Sequence, residues 1–140
     1  MNAKDKQQQQ IEAWLKGYVQ TLPVLENGCP YTIRRAYSLA QSRFYENDFN
    51  VTRLKKKCRI NRNNFSSRFK YFTGHTPKQY MLHLRIEAAK QMLADEAFSK
   101  VTAGRLSFAL GFSGISAFSR CFKKRTGFSP VEYRNRLGNA

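Results

Sequence analysis

Hydrophobic side chains recur along most of the chain at the three- and four-residue spacing of a helix face, and no segment shows the alternation of a strand. The first face predicts a short amphipathic helix that ends near Pro23. Residues 1–10 ahead of it are polar and predict a frayed terminus, and residues 23–30 behind it, with two prolines and an Asn-Gly pair, predict a linker. The sequence therefore predicts an all-α fold. The first face is formed by Ile11, Trp14, Leu15 and Tyr18.

Start and stop signals divide the rest of the chain into further helices. Thr76-Pro77 is typical of a helix start, because threonine caps the helix and proline fits its first position. Thr73-Gly74 is typical of a helix end, since glycine adopts the left-handed conformation readily. The other candidate N-caps are Asn50 or Thr52, Asn61, Thr102 and Ser113. We expect helices at about 33–46, 50–58, 61–71, 77–94, 102–110, 113–126 and 130–137.

One segment occurs twice. Phe65–Tyr80 returns as Phe118–Tyr133, 53 positions later, with the shared pattern Phe-Ser-x-x-Phe-Lys-x-x-Thr-Gly-x-Thr/Ser-Pro-x-x-Tyr. The only change among these positions is a threonine for a serine, so two copies of one small helical unit stand in tandem. In each copy a short helix, a tight turn and a second helix with a polar outer face predict a helix-turn-helix.

The helices group around this repeat. We expect an N-terminal amphipathic helix and linker in residues 1–30, a first helix-turn-helix subdomain in 31–74, a long linker helix in 75–95 and a second helix-turn-helix subdomain in 96–140. The linker helix is long enough to join the two subdomains rigidly.

The charge of the chain is concentrated in the repeat-bearing part. Residues 1–30 are neutral overall, whereas residues 31–140 hold 22 basic and six acidic side chains and so carry the whole formal charge of +16. Such a field attracts polyanions. Two equivalent basic helices at a fixed separation suit a periodic anion, which points to double-stranded DNA.

The repeat also fixes which side chains face outward. If its two phenylalanines are buried, the polar residues of each second helix share the opposite face. Arginine can clasp guanine, asparagine can clasp adenine, serine reaches bases or phosphates, and lysine suits phosphates. The candidate base-reading residues are Arg62, Asn63, Ser66 and Ser67 in the first unit and Ser116, Ser119 and Arg120 in the second. The candidate phosphate-binding residues are Lys70, Lys123 and Lys124.

Several motifs resemble the signature of the AraC/XylS family of bacterial transcription regulators. They are Gly111-Phe112, Phe118-Ser119-Arg120, Phe122–Gly127 and Ser129-Pro130-x-x-Tyr133-Arg134, and Thr76–Tyr80 through Arg85–Lys90 is similar to the family's linker helix. The resemblance covers about residues 31–136. It implies two recognition helices in successive major-groove turns on one face of DNA, with base-reading positions on the residues named above.

The resemblance implies further properties. About 30 residues precede the similar region, as in the short MarA/SoxS-like members, which implies a monomer controlled by its abundance, and activation rather than repression. The three scattered cysteines and the lack of a signal peptide favour a reducing cytoplasm. Lys55 and Ser107 stand where the family packs a small alanine, and Arg59 occupies the turn where the second unit has Gly111. We therefore expect the second unit, with Arg120, to read DNA more stringently.

Alternatives remain at this stage. The N-terminal apolar face needs a partner, which is the rest of the chain, a second copy in a dimer, or a protein such as RNA polymerase. The charge alone also fits a non-specific architectural DNA binder or an RNA-polymerase- or regulator-binding interaction protein.

Other classes of protein are disfavoured. No catalytic constellation is visible, and Cys29, Cys58 and Cys121 are too scattered for a zinc site, so neither an enzyme nor a cofactor is expected. No apolar run reaches the length of a membrane span.

Overall fold

A computed structural model describes residues 2–138 and confirms the all-α fold, with eight α-helices and no strand in this range. A short 3-10 turn, Glu96–Phe98, joins the fifth and sixth helices. We call α2–α4 the first unit and α6–α8 the second unit. The helices are α1 Ala3–Gln20, α2 Tyr31–Arg43, α3 Val51–Lys57, α4 Phe65–Thr73, α5 Pro77–Ala94, α6 Ala103–Ala109, α7 Ile115–Thr126 and α8 Pro130–Gly138.

The N-terminal helix is longer than the sequence predicts. The Asn2 side chain accepts a hydrogen bond from the Asp5 backbone N–H at 2.9 Å, and α1 begins at Ala3. An asparagine cap of this kind satisfies one of the N–H groups that a helix start leaves without a partner. The prediction of a frayed segment at 1–10 is therefore wrong for residues 2–10, and Met1 lies outside the described residues.

The apolar face of α1 packs against the rest of the chain. Ile11 and Leu15 are buried, and the Tyr18 ring lies 6.1 Å from that of Phe44 at a steep angle. Burial, with the nearby Glu87 carboxylate, raises the pKa of Tyr18 to about 12. The alternative of a dimer through Ile11, Trp14, Leu15 and Tyr18 is not supported, because its central side chains are already covered by this chain.

The linker helix docks on the first unit through aromatic side chains. Tyr80 of α5 stacks on Tyr37 of α2 with ring centroids 4.5 Å apart, and its hydroxyl accepts a hydrogen bond from Gln41 at 2.8 Å. Gln41 also donates to the Pro23 carbonyl at 2.7 Å, so this buried amide is satisfied. At its start α5 has the predicted Thr76 cap, completed by Gln79 as a reciprocal capping box.

The repeated segment folds the same way in both copies. Gly74 and Gly127 end α4 and α7 in the left-handed conformation, with φ of 89° and 86°. The Thr73 hydroxyl lies 2.7 Å from the Phe69 carbonyl oxygen, and the equivalent Thr126 hydroxyl makes the matching contact at 2.8 Å. The motif thus encodes a helix end, a turn and the next helix start, as the sequence predicts.

The similarity of the two units extends into the preceding turn at an offset of 52 rather than 53 positions. The Ile60 N–H donates to the Lys55 carbonyl at 2.8 Å, and the Phe112 N–H donates to the Ser107 carbonyl at 2.9 Å. The turn residues just before them have positive φ, 56° for Arg59 and 89° for Gly111. The change of offset means that the second unit has one more residue between this turn and its buried phenylalanines.

The starts of α4 and α7 differ from the prediction. α4 begins at Phe65, not after an Asn61 cap, and α7 follows Gly114 without a side-chain cap from Ser113. Residues 61–64 read Asn-Arg-Asn-Asn, and asparagine disfavours helix interiors because its side chain competes for the backbone. Ile115 is 44% exposed, although isoleucine is most often buried. The caps at Asn50 and Thr102 are confirmed.

The two units meet around Arg85 of α5. Its Nε donates to the Phe44 carbonyl at 2.7 Å and its Nη2 to the Phe49 carbonyl at 3.3 Å. Both carbonyls lie between α2 and α3 of the first unit. From the second unit, the Phe112 ring lies 5.8 Å from the guanidinium carbon. A side chain at Gly111 would come within 3.1 Å of Arg85 Nε and of the Glu46 carbonyl oxygen, so glycine permits this close approach. Burial lowers the pKa of Arg85.

Arg59→Gly should stabilise the protein. The change removes a left-handed penalty of about 1–2 kcal/mol and adds about 0.5–1 kcal/mol of lost chain entropy, so the free energy of unfolding should rise by about 1 kcal/mol. Arg62→Gly is the matched control, since Arg62 is an exposed arginine of the same turn without positive φ. Urea unfolding measures both; a decrease for both variants would contradict the argument.

Arg85→Met should destabilise the protein. It keeps the length of the side chain but leaves two carbonyl oxygens without their donor, which predicts a loss of about 2–3 kcal/mol. Lys90→Met on the same helix removes a partly exposed ion pair with Glu87 and should cost less than about 1 kcal/mol. Equal losses in urea unfolding for the two variants would show that Arg85 does not have the proposed role at the contact.

Candidate nucleic-acid interface

The outer faces of α4 and α7 carry most of the predicted site residues. Their phenylalanines point the other way: Phe65, Phe69, Phe118 and Phe122 are buried, as expected. On α4, Ser66, Ser67 and Lys70 are exposed. On α7, Ser116, Arg120, Lys123 and Lys124 are exposed and Ser119 is half-buried. The structure therefore gathers these residues into two polar helix faces.

Arg62 and Asn63 lie elsewhere than predicted. Both are exposed, but they precede α4 and belong to the turn rather than to the helix face. Arg62 lines an open groove of about 440 Å³ together with Arg59 and Arg68. Three guanidinium groups around one groove beside the start of α4 are suited to contacting a phosphate.

Two further residues on these faces escape the sequence analysis. Tyr71 is 82% exposed, and it lies four residues after Ser67 on the same side of α4. Ile115 is exposed in the first turn of α7, where an apolar side chain can contact a thymine methyl group. The register of the repeat could have found both, because Tyr71 corresponds to Lys124 and Ile115 to Arg62.

The charged side chains of α4 and α7 are all basic. Neither α4 nor α7 contains an acidic residue, and α7 ends with Lys123, Lys124 and Arg125. Among residues 2–138, none of the ion pairs involves a residue of α4 or α7. The cationic groups are thus not neutralised within the described part of the chain.

Other kinds of site find no support in the described residues. No group of three or more His, Cys, Asp or Glu side chains within residues 2–138 is placed to hold a metal ion. His75 and His83 stack with ring centroids 5.3 Å apart, and burial is the main cause that lowers the pKa of His83. None of the described helices has the length and hydropathy needed to cross a membrane.

A family model described as a helix-turn-helix domain matches residues 54–136, more than half of the chain. The chain belongs to the AraC-type helix-turn-helix family. The resemblance read from its motifs is thereby confirmed. The family is one of transcription regulators rather than enzymes.

The AraC-type domain is shared with regulators of several bacteria. The MmsAB operon regulatory protein of Pseudomonas aeruginosa is 41% identical over 87 residues, covering 62% of this chain and 27% of that protein. The uncharacterized helix-turn-helix transcriptional regulator YobQ of Bacillus subtilis is 45% identical over 73 residues, covering 52% of this chain and 29% of that protein. The chain thus spans less than a third of the length of these relatives.

A solved structure supports the same AraC-type architecture. The C-terminal domain of AraT, a response regulator from Geobacillus stearothermophilus, superposes with a TM-score of 0.70 at 22% identity. The match covers 79% of this chain and 88% of that one. At this identity the likeness concerns the fold alone.

Proposed function

We propose that this protein is a sequence-specific transcription regulator that binds double-stranded DNA as a monomer, with α4 and α7 in successive turns of the major groove. The observation that carries the proposal is that α4 and α7, the equivalent helices of two similar units in one chain, both have an outer face with basic and no acidic residues. Major-groove reading by both helices requires a separation of roughly one helical turn of DNA, 34 Å. Activation of transcription in the bacterial cytoplasm is the role that the family resemblance favours.

The proposal divides the chain by task. Residues 31–74 and 96–140 each supply one recognition helix, residues 75–95 join them, and residues 1–30 support both. In this division the base-reading groups are Arg62, Asn63, Ser66, Ser67, Ser116, Ser119 and Arg120. The phosphate-binding groups are Lys70, Lys123 and Lys124. We add Tyr71 to them, because its exposed side chain can donate a hydrogen bond from its hydroxyl to a DNA phosphate.

The two recognition helices differ in what they can read. α7 presents Arg120, which can make two hydrogen bonds to guanine, and the apolar Ile115. α4 presents the short Ser66 and Ser67, which reach fewer base atoms. An asymmetric DNA site, with its stricter half under α7, is the expected outcome.

Selection from a random duplex library at about 150 mM salt tests the proposal directly. Enrichment of one asymmetric motif, with two blocks about a helical turn apart, would support specific regulation. Binding without enrichment would contradict it and favour an architectural DNA binder. Affinity that falls little between roughly 50 and 200 mM salt would indicate a protein partner instead, because phosphate contacts release counterions.

Arg120→Ala and Lys124→Ala should have different effects on DNA binding. Loss of a guanine-reading arginine should cost about 1–3 kcal/mol on the selected site and relax selection at one position. Loss of a phosphate-binding lysine should weaken all sequences alike and reduce the salt slope by about 1. Titration of selected and scrambled duplexes at several salt concentrations measures both effects.

The control for these variants is Lys100→Ala, an exposed lysine outside the recognition helices. It should change the affinity for both duplexes less than either variant. The assignment of Arg120 is overturned if Arg120→Ala leaves selection unchanged while Ser67→Ala abolishes it.

A further inference from the structure

Helix α1 contacts both units of the protein. α1 contacts α2 of the first unit, and its Tyr18 ring packs against Phe44 at the end of α2. Ile11 and Leu15 of α1 are buried in the core. These contacts anchor α1 through apolar burial, the dominant stabilising force in such packing. Other side chains of α1 contact the 3-10 turn and α6.

The contacts with the second unit, and with the 3-10 turn that leads into it, are fewer and mostly polar. The Trp14 ring meets Phe98 edge to face at 6.3 Å. Gln10 donates to the Ala97 carbonyl at 3.0 Å. Arg105 of α6 donates from Nη2 to Gln8 at 3.0 Å and reaches the Lys4 carbonyl at 3.4 Å. Four positions of α1 therefore touch the 3-10 turn or α6.

We infer that α1 is a clamp that fixes the distance and rotation between the two recognition helices. The two units already meet around Arg85, and a second helix that bridges them restrains their rotation about that contact. Trp14, Gln8 and Gln10 are positioning residues in this arrangement, since they act on DNA only through α4 and α7. The consequence for DNA rests on the proposed function; the mechanical role does not.

The chemistry of the contacts allows the clamp to be loosened without unfolding the protein. The anchoring residues Ile11 and Leu15 are buried, but Gln10 is exposed and Gln8 and Trp14 are only half-buried. Hydrogen bonds at such positions contribute little to the free energy of unfolding, because water replaces them readily. They can still fix geometry, since each one holds a defined pair of atoms.

The first test measures geometry without DNA. Spin labels at Thr52→Cys on α3 and Val131→Cys on α8, with Cys29→Ser and Cys121→Ser, report the distance between the units by double electron–electron resonance. The parent should give one narrow distribution, and the variant Q8A/Q10A/W14A a broader or shifted one. The double variant Q8A/Q10A, which retains the Trp14 contact, should broaden the distance distribution less than the triple variant does.

The matched control is Q7A/Q9A, which removes two neighbouring glutamines of α1 that make no side-chain hydrogen bond to the second unit. It should leave the distribution unchanged. If the triple variant does not fold by circular dichroism, Q8A/Q10A decides the question. A folded clamp variant with the parental distribution, or a parent whose distribution is already broad, overturns the inference.

The second test uses the selected DNA site with one or two base pairs inserted between its blocks. Loosening the clamp lowers the effective concentration of the second helix at its half-site, so Q8A/Q10A/W14A should lose about tenfold in affinity at the natural spacing. The affinity of this variant for a duplex that carries only one block should equal that of the parent. Its affinities for the natural and the lengthened spacings should differ less than those of the parent do. The single variant Trp14→Phe, which keeps an aromatic ring at the Phe98 contact, should retain the parental preference.

The two tests separate the failures. If selection yields no motif, the proposed function fails and the distance measurement still decides whether α1 is a clamp. If a motif exists but the clamp variants keep both the parental distances and the parental spacing preference, the inference fails while the proposed function stands.

Discussion

Arg85 lies on α5 where the two units meet, and main-chain carbonyls rather than a carboxylate accept its hydrogen bonds. A charged donor makes stronger hydrogen bonds than a neutral one, which offsets part of the cost of burying a guanidinium. Burial lowers its pKa, yet arginine remains protonated at physiological pH. Because the Phe112 ring and Gly111 lie against the same side chain, the loop after α2 and the turn before α7 are positioned by one residue. The placement of the first unit is therefore coupled to that of the second.

Local signals were sufficient to predict most of the fold. Thr-Gly and Thr/Ser-Pro act within a few residues, so the ends of α4 and α7 and the starts of α5 and α8 could be located from sequence alone. The turns before α4 and α7 are harder to align. Arg59 and Gly111 share a left-handed conformation but not a residue type, and the offset changes there from 53 to 52 positions. A comparison of Ile60 with Phe112, both buried, would have revealed it.

Long-range contacts account for what the sequence analysis missed. Glutamines 7–10 look like a solvated tail, and nothing local indicates that Gln8 and Gln10 have partners about 90 positions away. Ile115 looks like a core residue by its type, but its place before the buried phenylalanines exposes it. An N-cap at Asn61 would place Arg62 and Asn63 in the first turn of a helix, but the three asparagines around Arg62 favour an irregular turn instead. Candidate residues within α4, such as Ser66, Ser67 and Lys70, are thus easier to place from sequence than Arg62 and Asn63, which precede that helix.

The two copies of the repeat also differ in an informative way. Positions that build the turn are the same in both: the phenylalanines, Thr-Gly, the proline and the tyrosine. Among outward positions, Ser66 matches Ser119 and Lys70 matches Lys123, whereas Ser67 corresponds to Arg120 and Tyr71 to Lys124. The identical lysines suit a shared task, since the phosphate backbone of DNA offers both units the same contacts. Different outward residues suit different base sequences. Under the proposed function, two similar units with different outward residues therefore favour an asymmetric DNA site over a symmetric one.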